Sequence, residues 1–61
     1  MDEILIKREI EKTKKYIELN NYSKEDAIRF LEAKMEIAAH TDNKVAAIAS
    51  KMLLEECINK D

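Results

Sequence analysis

Ile6, Ile10, Thr13 and Ile17 recur at spacings of four, three and four, which places them on one narrow stripe of a helix running from about 2 to 19. Leu5 and Tyr16 flank the stripe, while Lys7, Arg8, Glu11, Lys14, Lys15 and Glu18 fill the other side. Glu3–Lys7 and Glu11–Lys15 are i,i+4 pairs in the favourable order, each adding a few tenths of a kcal/mol. The spacing is that of a coiled coil, but it lasts under three heptads, too few for a long one. Asn20-Asn21 should end this helix, since asparagine tolerates the left-handed conformation in a chain with no glycine.

Ser23-Lys24-Glu25-Asp26 resembles a capping box and opens a second helix, about 23–40. Glu25 and Asp26 also complement the positive end of the helix dipole. Thr41-Asp42-Asn43 is the second break, because all three side chains compete with helix through local hydrogen bonds. Thr41 or Asp42 is the expected cap of a third helix, about 43–59. The rival is a single helix from Ser23 to Asn59.

The pattern of the last two helices is too apolar for one small bundle. On helix two, Ala27, Ile28, Leu31, Met35 and Ala38 share one face, and Phe30, Ala33 and Ile37 lie roughly opposite. On helix three, Val45, Ile48, Ala49 and Met52 make one face, Ala46, Leu53 and Cys57 a second, and Ala47, Leu54 and Ile58 a third. Only Lys44, Lys51 and Glu55 form a clear polar strip. A helix apolar nearly all round is expected to be covered on most sides.

Length sharpens this. The 61 residues make one domain, 1–61. A domain this small buries only about 60% of the surface of its unfolded chain, and ordering it costs roughly 1.5 kcal/mol per residue. A staple is needed. With one cysteine, Cys57, and one histidine, His40, neither an intrachain disulfide nor a Cys/His zinc site is expected. A second chain remains. The expectation is an all-α, three-helix domain assembling as a dimeric helical bundle. Val45, Ile48, Met52, Leu53, Leu54 and Ile58 are the expected self-interface, with Ala46, Ala47, Ala49 and Ser50 letting the partner helix come close. Tyr22, Phe30 and Ile37 are left over as a surface for a heterologous protein.

Candidate chemistry is thin. Glu32, Glu36 and His40 recur every four residues on one helix face, but the Glu-x-x-His spacing of di-iron bundles is missing; a solvated strip explains them. Cys57 lies near a helix C-terminus, where the dipole disfavours a thiolate, so packing rather than pairing with His40 is expected. Ser23 has no base at a useful spacing, and capping accounts for it. No phosphate, dinucleotide or metal-hydrolase motif is present, so neither enzyme activity nor a cofactor or metal is expected.

A net charge of -2 suits neither a basic nucleic-acid binder nor a strongly acidic mimic. Lys7, Arg8, Lys12, Lys14 and Lys15 make helix one locally basic, but Glu9, Glu11 and Glu18 interrupt them and aromatics for base stacking are few. Ile4-Leu5-Ile6 is too short for a signal peptide, and no run approaches the ~18 apolar residues of a membrane span. The expected protein is therefore cytoplasmic, non-enzymatic and protein-binding, structural or regulatory. The alternative is a nucleic-acid-binding regulator using the basic side of helix one.

Overall fold

The computed structural model describes residues 2–59. It comprises three helices, α1 (Glu3–Leu19), α2 (Lys24–His40) and α3 (Lys44–Asn59). Each starts one residue inside the expected range because the residue before it is the N-cap. Asp2 Oδ1 accepts from the Ile4 N–H at 3.1 Å, Ser23 Oγ from the Asp26 N–H at 3.2 Å, and Asn43 Oδ1 from the Ala46 N–H at 3.1 Å. The cap of α3 is thus Asn43, not Thr41 or Asp42. Thr41 instead serves the end of α2, its hydroxyl donating to the Ile37 carbonyl at 2.9 Å.

Both breaks end their helix in the same way. After α1, the Tyr22 N–H bonds the Ile17 carbonyl and the Asn21 N–H bonds that of Glu18; after α2, Asn43 bonds Ala38 and Asp42 bonds Ala39. These are paired Schellman bonds, and they require a left-handed residue at the turn. Asn21 (φ 53°) and Asp42 (φ 54°) supply it. The rival single helix from Ser23 to Asn59 is excluded by this turn. A side chain at positive φ costs about 1–2 kcal/mol, of which the greater freedom of glycine in the unfolded chain takes back about 0.4–1 kcal/mol, so Asp42→Gly is expected to stabilise the fold by up to about 1 kcal/mol. A urea melt with unchanged or lower midpoint would refute that.

The two connections are short, so successive helices run antiparallel. Lys34 on α2 meets Glu9 on α1, and Phe30 meets Tyr16, in the order that direction requires. α3 packs along both other helices, most extensively along α2, while α1 and α2 meet chiefly through long side chains. The many-sided apolar pattern of α3 therefore has a partly internal explanation: it is sandwiched by its own neighbours. Ala49 and Ser50, expected to admit a partner helix, are each 1% exposed and face the chain's own helices.

The fully buried core is small: Ala27, Leu31 and Ala38 from α2, Ala49, Ser50 and Leu53 from α3, and Thr13 alone from α1. Ile6, Ile10 and Ile17, the rest of the α1 stripe, are only half-buried. The radius of gyration is 11.0 Å, close to the roughly 10.5 Å of a compact chain of this length. The accessible surface is 4880 Å², against about 4,100 Å² for a typical monomer of this mass. The molecule is compact in dimension yet carries about 800 Å² of extra surface by that scaling.

Candidate functional site

Among the described residues, apolar grooves flank α1 on its α2 and its α3 side. The first lies between α1 and α2, has a volume of about 500 Å³, and is floored by Thr13, Tyr16, Leu19 and Phe30. The floor contains two of the chain's three aromatic residues, and the third borders it. Tyr16 stacks on Phe30 with ring centroids 5.1 Å apart and 20° between planes. Tyr22 closes the cluster, edge-on to Tyr16 at 6.1 Å and tilted against Phe30 at 5.7 Å. The Schellman turn after α1 brings Tyr22 to this place. A hydrogen bond to Tyr16 lifts the Tyr22 phenol above its ordinary value of 10.0, and desolvation with the nearby Tyr16 and Asp26 charges adds to the effect. Leu19 stands 82% exposed and Tyr16 48% exposed beside it.

Lysines rim this groove: Lys12 and Lys15 from α1 and Lys34 from α2. Lys34 crosses to α1, where its Nζ donates to Glu9 Oε2 at 2.7 Å and to Thr13 Oγ1 at 3.4 Å. Thr13 Oγ1 in turn donates to the Glu9 carbonyl at 2.7 Å. This network allows a threonine to occupy the buried position of the α1 stripe. The Glu9 carboxyl is held below its ordinary 4.5, first by the hydrogen bond from Lys34 and further by the Lys34 and Lys12 charges, against burial acting the other way.

A carboxyl lowered in this way binds fewer protons folded than unfolded. Its contribution is therefore complete above pH 4.5 and is lost as pH falls through the folded value. Glu9→Gln is expected to cost about 1 kcal/mol at neutral pH and to flatten the fall in stability below pH 4.5. Urea melts of parent and variant at neutral and acid pH check this; an equal gap at both would refute it.

The second groove, about 350 Å³, lies between α1 and α3 and is lined by Ile6, Ile10 and Met52, with Glu3 and Lys7 beside them. It touches the expected self-interface. Of those residues, Met52 is 50% and Ile58 56% exposed, and Val45, Ile48 and Leu54 are half-buried. Leu53, at 3% exposure, is taken up by the chain's own core, so it offers no surface to a partner. Of the expected partner-binding residues, Ile37 is 63% exposed, while Tyr22 and Phe30 are half-buried within the aromatic cluster. Phe30 therefore lies at the α1 edge of α2, not on a free opposite face.

Tyr16, Leu19 and Lys34 were not singled out as site residues by the sequence pattern. Tyr16 reads as a flank of the stripe and Leu19 as the last residue of a helix. Lys34 carries no periodic signal, because its partners sit 21 and 25 residues away on another helix.

The remaining candidates are dispersed. Glu32, Glu36 and His40 are exposed along α2, and among the described residues no three His, Cys, Asp or Glu side chains gather as a metal-binding group. Cys57 is half-buried beside Lys14, Ile17 and Glu56, at the opposite end of the bundle from His40. In the basic cluster, Lys14 pairs with Glu56 at 3.6 Å, and Arg8, Lys12, Lys14 and Lys15 share a shallow depression with Glu11 and Glu18. Among the described residues no helix is long and apolar enough to cross a membrane. No protein-family model, curated protein or solved structure matches the chain.

Proposed function

We propose that this is a small, non-enzymatic protein-binding module that associates with a second copy of itself and keeps a further apolar surface for another protein. One observation carries the reading. The surplus of about 800 Å² of surface is close to what one partner contributes to a standard protein interface. A core whose only large apolar members among the described residues are Leu31 and Leu53 leaves a chain of this size short of stability by itself.

The α1/α3 groove suits the second copy. Its apolar lining continues into Val45 and Ile48, which share the Met52 side of α3 by helical spacing. Its charged neighbours, Glu3 and Lys7, are of opposite sign, and a twofold axis can pair each with the other's counterpart. Light scattering behind a sizing column, across a range of concentrations, tests the reading. The expected mass is twice the 7.1 kDa of the chain, and Met52→Asp is expected to lower it toward one chain, with helix content falling together with the mass on dilution. A single-chain mass at every concentration would overturn self-association.

A nucleic-acid-binding regulator is the second reading, favoured by the depression that gathers Arg8, Lys12, Lys14 and Lys15. Phosphate contacts weaken steeply with salt. Retention on heparin that falls away steeply with added salt would favour it; passage at low salt would dismiss it.

A further inference from the structure

We infer that the aromatic groove between α1 and α2 is the docking site for an acidic amphipathic helix of a different protein. This rests on the protein-binding reading above and adds the site and the chemistry of its occupant. The groove has an apolar floor of Tyr16, Leu19 and Phe30, and the charged residues that line it are all lysines, Lys12, Lys15 and Lys34, with Glu9 bound to Lys34 and Glu11 and Glu18 near Lys12 and Lys15. Lys34 is already committed to Glu9, and the Lys12 charge also acts on that carboxylate, but among the described residues neither Lys12 nor Lys15 is in a contact ion pair, so the Glu11–Lys15 pair expected from spacing is not closed. A partner helix with an apolar stripe flanked by carboxylates would cover the exposed Leu19 and Tyr16 and bring its acids to these two ammonium groups. A second copy fits badly, because a twofold axis through this groove would set the lysine rims against each other, with like charges opposed.

The occupant is read as a helix for two reasons. The site is a trough between two helices, the geometry in which an apolar helix face inserts side chains spaced i, i+3, i+4 and i+7. No strand edge is present among the described residues to pair with an extended peptide. The α1 residues that line it, Lys12 to Leu19, span about 10 Å, two turns of an opposing helix.

The tyrosines make the test direct. Tyr16 and Tyr22 are the chain's only tyrosines and it has no tryptophan, so intrinsic fluorescence reports on this groove alone. The full chain is titrated with a designed amphipathic peptide helix free of aromatic residues, its leucine stripe flanked by glutamates. A lysine-flanked counterpart and a single-stranded oligothymidylate are titrated in parallel, and light scattering is recorded on the same samples. Saturable binding of the glutamate-flanked peptide alone is expected, weakened at least tenfold in Lys12→Glu/Lys15→Glu and several-fold in Leu19→Ala. Leu19 is 82% exposed, so its change leaves the fold intact.

No response to either peptide, an equal response to both, or a response to the oligonucleotide alone would overturn the inference. So would a fall in mass to one chain in Leu19→Ala, since the groove would then belong to the second copy. A doubled mass without peptide binding would overturn the groove assignment while leaving the self-association reading standing.

Discussion

Leu31→Ala is expected to leave most of the chain unfolded at 25 °C. Leu31 is 0% exposed, and among the described residues Leu53 is the only other large apolar side chain in the buried core. The other buried apolar residues, Ala27, Ala38 and Ala49, are small and cannot extend to fill a gap left by Leu31. Leu→Ala changes in such sites cost about 2–5 kcal/mol. A domain below about 70 residues rarely has more than 3–5 kcal/mol from its core. The loss therefore matches or exceeds the reserve. Circular dichroism and urea unfolding measure it directly, with Ile37→Ala as a control at 63% exposure that should change stability by no more than about 0.5 kcal/mol. Because the dimer reading ties folding to association, both should be measured at several chain concentrations. A Leu31→Ala chain that melts like the parent would show that the core between α2 and α3 is not what holds the molecule together.

Ser50→Ala is expected to work in the opposite direction. Ser50 is 1% exposed, and its hydroxyl has no hydrogen-bond partner among the described residues. A buried hydroxyl without a partner costs about 1–3 kcal/mol, and alanine is the better helix former by several tenths of a kcal/mol. Removing one oxygen opens little space. The net gain should be about 1–2 kcal/mol, and in a domain of this size each kcal/mol raises Tm by about 4–8 °C. Scanning calorimetry decides it. A lowered Tm would mean that the hydroxyl is hydrogen-bonded in solution.

The two changes show how differently the fold was legible. Leu31 lies on an apolar stripe with Ala27, Ala38 and Met35, and helical spacing alone marked it as core. Ser50 was read as a small residue making room for a partner helix. Nothing in its local pattern says whether the helix it admits belongs to the same chain or to another.

The site was legible only in part, for the same kind of reason. Tyr22, Phe30 and Ile37 were marked because they did not fit a single stripe. The groove that Tyr22 and Phe30 border needs Tyr16 and Leu19 from another helix, and its rim needs Lys34, while Ile37 does not line it. Proximity across helices has no periodicity to read.

The sequence by itself determined the elements. Backbone hydrogen bonding is local, so the Ser23 cap and the Asn20-Asn21 and Thr41-Asp42-Asn43 breaks place the helix ends within a few residues, while the structure decided that the second break is a true turn and that Asn43 rather than Thr41 or Asp42 caps α3. It also determined which stripes of α1 and α2 turn inward, because 3.6-residue spacing fixes a face whatever the neighbour. Tertiary structure alone decided which neighbour each face meets. It placed α3 between α1 and α2, consuming Leu53 and Ala49 internally. It also held α1 and α2 apart on long side chains, opening the aromatic groove. The physical reason is that burial is non-directional: an apolar face specifies that it be covered, and only the packing of the whole chain specifies by what.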